Sequence, residues 1–238
     1  MTPRGSMKSG EKRVVMMEIA GECALCDRSG ALYLPDHKLL VVSDLHLEKG
    51  AAYARRGQLI PPYDTVETLK KLGHAIAAYQ PAIVVSLGDS FHDGEGAVAM
   101  PEFFRGTLRE LMRGRDWFWV AGNHDPEPPA NLPGDSVAEI ALGSLIFRHE
   151  PSTSRVIGEV AGHLHPGARL VKSGRSVRRP CFASDGKRMI MPAFGAYTGM
   201  LNVLDRAYTG LFDPASFFAY MLGLKRVYAI AGTALRPG

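Results

Sequence analysis

The chain is short of cysteine and of any long apolar run. Three cysteines in 238 residues, Cys23, Cys26 and Cys181, cannot build a disulfide framework. The "CALC" pair at 23–26 is half of a four-cysteine zinc site with no second half; its plain reading is two small, half-buried residues at a turn. No stretch approaches the ~20 apolar residues of a membrane helix. No charged segment leads into an apolar stretch with a cleavage site. A membrane partner is therefore not expected, and the cytoplasm is the expected location. Nor is there an excess of acid: 28 Lys and Arg against 24 Asp and Glu give a net charge of +4, which permits an acidic partner without demanding one.

What is present is the composition of a globular protein, 46% hydrophobic and 22% charged. Residues 1–12 are polar and patternless, as in a disordered or vector-derived tail, and residues 13–238 read as a single domain. Strand-like runs alternate with helical patterns in the first half. "KLLVVSD" (38–44) precedes a helical pattern over 61–79 with an Asp64–Glu67 capping box. "AIVVSLGD" (82–89) precedes a helix over 100–114, and "WFWVAGNHD" follows. That alternation suggests parallel strands with both sheet faces covered. Beyond residue 130 come short strand-like runs, and a late helix is expected over 213–224. The fold expected is α/β, a four-layer αββα sandwich of two packed mixed sheets with flanking helices.

Five of the apolar runs end in polar side chains. "VVSDLH" ends in Asp44 and His46, "SLGD" in Asp89 and "VAGNHD" in Asn123 and His124; "LIFRHE" supplies His149 and "VAGHLH" His163 and His165. Ligands bind α/β sheets at the carboxyl ends of their strands. Residues two apart in extended chain point the same way, so Asp44 with His46, and His163 with His165, are each expected to face one site. Carboxylate, amide and imidazole without thiolate suit a borderline-hard divalent ion such as Mn²⁺, Fe²⁺ or Zn²⁺. Two such ions about 3.5–4 Å apart can clamp a phosphoryl group and generate hydroxide at neutral pH, with Asp89 as the natural bridge. Isolated turn-capping residues would explain any one junction, but not all five together.

The series "DLH", "GD", "GNHD", "H" and "GHLH" resembles the signature of the calcineurin-like metallophosphoesterases. The resemblance implies a first metal held by Asp44, His46, Asp89 and His165, and a second by Asp89, Asn123, His149 and His163. His124 would be the catalytic residue beside the scissile phosphate, assisting a metal-activated hydroxide, and Asp125 would orient it or cap the turn. "SDLHLEKGAAYARRGQLIPPYDT", "LGDSFHD", "RHEP", "GHLHP", "RRPCF" and "PAFGAYTG" are similar to the bacterial ligase-associated DNA-damage-response endonucleases. That family implies Mn²⁺-dependent cleavage of DNA, single strands foremost, and a functional association with a DNA helicase, an exonuclease-like protein and a DNA ligase in DNA repair.

Arg55 and Arg56 follow the first motif closely and are the expected substrate-binding residues. Arg169, Lys172, Arg175, Arg178 and Arg179 form a second cluster, readable either as phosphate contacts or as a charged, solvated hairpin edge. Arg105, Arg109 and Arg113, four apart, read as a solvated helix face. Tyr63, Phe91, Phe194 and Tyr197 are aromatics near motifs, Phe194 better read as core; His92 is either a substrate contact or an ordinary loop histidine. Two other functions share the motifs. A metallophosphoesterase could act on a nucleotide, a cyclic nucleotide or a lipid-linked diphosphate, the last needing an apolar cap for which 213–224 is the candidate. A non-catalytic scaffold of the same fold would be expected to have lost ligands.

Overall fold

The computed structural model describes residues 14–58, 63–127, 129, 131–154 and 156–238; the expected tail and the two prolines before the 61–79 pattern lie outside them. The first sheet opens with a meander that the sequence reading passed over, β1 (Val14–Ile19), β2 (Glu22–Asp27) and β3 (Leu32–Leu34). It continues through β4 (Leu39–Val42), β5 (Ile83–Leu87), β6 (Asp116–Val120) and β7 (Asp135–Val137). Its strands lie in chain order, antiparallel from β1 to β4 and parallel from β4 to β7. The crossovers carry α1 (Lys49–Arg55), α2 (Asp64–Tyr79), α3 (Gly96–Ala99) and α4 (Glu102–Met112).

The second sheet contains β8 (Glu139–Leu142), β9 (Leu145–Arg148), β10 (Glu159–Ala161), β11 (Pro166–Lys172), β12 (Arg175–Ser184), β13 (Met189–Ile190), β14 (Leu201–Asn202), β15 (Phe218–Leu222) and β16 (Val227–Ala231). Its order is β14-β11-β12-β13-β10-β9-β8, with β15 and β16 attached through β12. β9, β10 and β13 run parallel; β11–β12 and β15–β16 are hairpins.

Alternation along the strands decides which core each side chain enters. Leu40, Val42, Val84, Trp117 and Trp119 face α2 and α4. The alternate residues Leu39, Val41, Val85, Leu87 and Val120 meet Leu145, Phe147, Val160, Phe182 and Met189 between the sheets. On the far side of the second sheet, Ala183, Ile190 and Ala219 are covered by Val203, Tyr208, Leu211 and Phe217, from segments that form only 3-10 turns and irregular chain. The two mixed sheets stand as expected, but the four α-helices among the described residues belong to the first sheet's side. The expected helix over 213–224 is instead β15, paired with β12 and β16. "FFAYML" is an unbroken apolar run, whose periodicity cannot separate strand from helix; without a helix there, the cap that a lipid substrate would need is missing from that segment. Cys23 and Cys26 lie within β2, not at a turn, and Cys26 is buried. Nor does Asp64 cap α2: its buried carboxylate accepts from Gly50 N in α1.

A buried ion pair anchors the second sheet. Arg188, 2% exposed, donates to Glu159, 0% exposed, to Ser152 O at 2.9 Å and to Leu211 O at 3.2 Å. Removing one partner of such a pair strands a charge away from water, so Glu159→Ala is expected to cost about 3–5 kcal/mol. The midpoint of urea denaturation measures this, and an unchanged midpoint would mean that Arg188 finds water when its partner goes.

Candidate metal centre

Eight residues of the five motifs leave the carboxyl ends of adjacent strands: Asp44 and His46 after β4, Asp89 after β5, Asn123 and His124 after β6, His149 after β9, and His163 and His165 after β10. They gather into two groups. Asp44, His46 and His165 each place a donor atom within 4.8 Å of the others, as do Asp89, His149 and His163. In the first group His46 Nε2 lies 3.4 Å from His165 Nε2, which is 3.2 Å from Asp44 Oδ1. In the second, Asn123 Oδ1 is 2.8 Å from His149 Nε2 and 3.0 Å from His163 Nδ1. Asp89 stands between them, one oxygen 3.5 Å from His149 Nε2 and the other 4.0 Å from His46 Nε2.

The backbone is what makes this convergence. Asp44, His46, Asp89, His163 and His165 all have φ between 43° and 66°, a left-handed conformation that costs about 1–3 kcal/mol per non-glycine residue and persists only where the surroundings enforce it. Here main-chain bonds enforce it: Asp44 N donates to Gly88 O, His46 N to Asp89 O, Gly195 N to Asp44 O and Leu201 N to His165 O. The left-handed turns also defeat the two-residue rule, because His163 and His165 point into different groups. Gly88 (φ +73°) and Gly122 leave room for neighbouring ligands. A Cβ on Gly88 would overlap the His149 ring, and one on Gly122 would overlap Asp89.

The donor chemistry fits divalent cations. Asp44, His46, Asp89 and His149 are at most 5% exposed, so two carboxylates and facing imidazole nitrogens are held out of water. His46 Nδ1 is buried without a hydrogen-bond partner. Before any cation binds, burial pushes the His46 imidazole down to about 4. Burial also opposes charge on His149, but the hydrogen bond and charge of Asp89 outweigh it and carry His149 up to about 9. Asp89 is held near 2 by His149, His124 N–H and His46 against its own burial. His149 Nδ1–H donates to Leu87 O (3.1 Å), which leaves Nε2 free to ligate once its proton is displaced.

His124 is different. Its side chain is 43% exposed, its amide donates to Asp89 Oδ1 (2.9 Å), and its Nδ1 donates to His92 O (3.0 Å). Nε2, the remaining nitrogen, lies 4.0 Å from Asp89 Oδ2. Asp125 does not orient it: that carboxylate accepts from Ser90 N and Phe91 N, and burial raises it to about 7 against those bonds. The orienting residue is His92, whose carbonyl holds His124 while its ring stacks on the His124 ring at 5.5 Å. The sequence offered only the position of His92, three residues after Asp89.

Arg55 is engaged by Asp93 (2.6 Å) and Glu95 (3.4 Å), whereas Arg56 is exposed at the end of α1. Tyr53 of α1 packs on His92 at 5.5 Å, which places this helix end beside His124. Phe91 and Phe194 are core; Tyr63 and Tyr197 are exposed. Arg109 and Arg113 pair with helix glutamates, but Arg105 also donates to the last carbonyls around α3.

Comparison with known proteins bears on the same strand ends. A sequence profile of the calcineurin-like phosphoesterases matches residues 37–179, more than half of the chain. The crystal structure of Pseudomonas putida nuclease MPE superposes with a TM-score of 0.69 at 25% identity, covering 91% of this chain and 100% of that one. A phosphoesterase from E. coli, Yfce, superposes with a TM-score of 0.40 at 15% identity over 81% of this chain and 98% of that one, a likeness too distant to bear on the site. No curated protein sequence matches.

Gly88→Ala adds a left-handed Cβ and a collision with His149. It is expected to destabilise the protein by more than about 2 kcal/mol and to shift the His149 imidazole resonances. A wild-type denaturation curve together with unmoved His149 signals would show that the turn can relax around the methyl group.

Proposed function

Since the chain belongs to the calcineurin-like phosphoesterase family, we propose that it is a two-metal phosphodiesterase acting on DNA, with single strands as the favoured substrate. One observation carries the reading: two donor groups adjoin at Asp89, which belongs to one and lies 4.0 Å from His46 of the other, and the exposed His124 stands beside it. Asp44, His46, Asp89 and His165 would hold one cation, and Asp89, Asn123, His149 and His163 the other. Mn²⁺ is the proposed metal, with Fe²⁺ and Zn²⁺ suited to the same donors. When bound, the pair would supply hydroxide at neutral pH and neutralise charge on the phosphoryl group.

The chain's own residues do the rest. The His92 carbonyl fixes His124 Nδ1–H, so any second proton sits on Nε2, toward the reacting phosphate. His124 would then serve as proton donor to the leaving oxygen. Arg56 is free to meet a phosphate next to the scissile one. Arg55 would do so by exchanging Asp93 or Glu95 for the substrate; undisturbed, it steadies the loop that carries His92. DNA as substrate is supported by the likeness to the P. putida nuclease. Residues 13–238 are taken as one catalytic unit. A cytoplasmic DNA-repair role beside a helicase, an exonuclease-like protein and a ligase rests on sequence resemblance.

Circular single-stranded DNA has no ends, so its fragmentation by metal-stripped protein with added Mn²⁺ reports endonuclease action alone. Wild-type protein is expected to cut the circle; His124→Ala is expected to bind Mn²⁺ normally yet lose at least about a hundredfold in cutting rate. An intact circle with continued hydrolysis of bis-p-nitrophenyl phosphate would move the substrate to nucleotides or lipids.

Calorimetric titration tests the shared carboxylate. Wild type is expected to take up two Mn²⁺ per chain, and Asp89→Asn to lose tight binding at both positions. Loss of one ion alone would make Asp89 a ligand of a single metal.

A further inference from the structure

The two flanks of the metal centre carry opposite charge. Beyond Asn123 and His149 lies an open cleft of about 360 Å³ whose wall includes Glu139 and Glu150. Arg148 in that wall is already paired with Glu139 at 2.6 Å, and Glu150 lies 3.8 Å from His163 Nε2. A continuing phosphate backbone would meet carboxylates there.

The two segments that build the other flank carry none. No Asp or Glu occurs between Val160 and Ser184, nor between Pro214 and Gly238, and these segments form the β11–β12 and β15–β16 hairpins. Their placement follows from the topology. β12 pairs with β13 and β15 only over 181–184, while residues 175–180 pair with β11 alone. β13 lies parallel to β10, whose carboxyl end delivers His163, and β12 is antiparallel to β13. The free half of the β11–β12 hairpin therefore projects past the edge that carries the metal centre. β15 is antiparallel to β12, so the β15–β16 turn at 223–226 reaches the same edge, and Arg28 of the first sheet ties Leu224 O there at 2.9 Å.

Register sorts the projecting side chains. Ala168 opposes Arg179, Leu170 opposes Val177 and Lys172 opposes Arg175, so these six share one face. Leu170, Val177 and Arg179 line a cleft of about 450 Å³ with Leu224, Lys225 and Tyr228. The cleft is an apolar floor with a cationic rim, and Arg226 lies over the Tyr228 ring at 4.8 Å. Lys172 opposite Arg175 and Arg169 opposite Arg178 are like-charge cross-strand pairs, which destabilise a bare hairpin. On the other face Arg178 donates to Met200 O (2.8 Å), in the loop whose Tyr197 carbonyl receives Lys49 (3.0 Å) and whose Leu201 amide binds His165 O (2.9 Å). The hairpin is thus continuous with the rim of the metal centre.

We propose that the cleft between the β11–β12 and β15–β16 hairpins is an exosite for single-stranded nucleic acid, gripping the strand on the His165 side of the scissile phosphate. Phosphates meet Lys172, Arg175, Arg179 and Lys225, and bases lie against Leu170, Val177, Leu224 and Tyr228. A second copy of this chain meeting it through the same face would bring cations against cations, and the chain's own residues 1–13, with Arg4, Lys8, Lys12 and Arg13 against Glu11, are equally mismatched. The proposal deepens the DNA reading and rests on it.

The test uses full-length protein in EDTA, where binding is read without cleavage, and fluorescein-labelled oligothymidylates of increasing length. Wild-type affinity is expected to rise with length and to fall with salt. The triple variant Lys172→Glu, Arg175→Glu, Arg179→Glu is expected to bind the long oligomer at least about tenfold more weakly, with a salt slope shallower by roughly 2. Its Mn²⁺-dependent hydrolysis of bis-p-nitrophenyl phosphate should be unchanged. Arg175→Lys with Arg179→Lys keeps the charge and should bind like wild type. Unaltered binding by the triple variant overturns the exosite, as does loss of the small-diester activity along with binding, which would make the hairpin a support of the metal centre. Displacement of the oligomer by polyglutamate at equal concentration overturns it in favour of an acidic protein partner. If wild-type protein binds the oligomer through the hairpin but never cuts DNA, the exosite stands and the catalytic reading falls.

Discussion

The site depends on one buried carboxylate. Asp44 is 0% exposed and belongs to the first sheet, yet His163 N donates to both its oxygens from the end of the second sheet, at 3.3 and 3.1 Å. Ser43 Oγ donates to it as well, and His165 Nε2 lies 3.2 Å away. A carboxylate out of water costs several kcal/mol unless donors or positive charge surround it. Asp44 gathers them from both sheets, so the fold's two halves meet at an anion. The left-handed turns at Asp44, His163 and His165 are the means: extended chain would carry these side chains past one another.

Solvent exposure divides the motif residues by task. Asp44, His46, Asp89 and His149 are buried, where low dielectric strengthens attraction for a cation and excludes competing water. His124 is attached to the same cluster through its amide and Asp89 but keeps its ring in reach of substrate. In the proposed reaction a buried His124 would be out of reach of substrate, and an exposed His149 would hold a metal less well. The backbone achieves the division without a special residue, because β6 delivers Asn123 and His124 in succession and one carbonyl, that of His92, fixes the second.

The motif residues were legible in the sequence because each ends an apolar run, and in parallel strands those ends coincide in space. The grouping of donors was not legible from spacing, since period-two reasoning presumes extended chain and the ligands sit in left-handed turns. Partners across the chain were hidden too. Nothing in "ARRG" shows Arg55 held by Asp93 and Glu95, and nothing in "GNHD" shows Asp125 turned away from His124 toward Ser90 and Phe91. The late helix failed for another reason: "FFAYML" is apolar throughout, and pairing with β12 and β16, not local preference, makes it a strand. The β1–β3 meander left no comparable mark: Asp27 closes β2 and Asp36 and His37 follow β3, but no motif ties them to the other strand ends.

A net charge of +4 says little by itself, because its effect depends on where the acids are. In this chain they are absent from 160–184 and from 214–238, the segments that form the β11–β12 and β15–β16 hairpins. The two acid-free segments are far apart in sequence but are joined by the pairing of β12 with β15, so the fold concentrates a modest net charge into a field on one flank. Glu139 and Glu150 set the opposite sign on the other flank. For a small phosphodiester the difference is immaterial, since in the proposed reaction it would touch only the metals and His124. For a polymer the proposed exosite would set on which side of the cleavage point the strand is held, giving the second sheet a part beyond its three motif histidines.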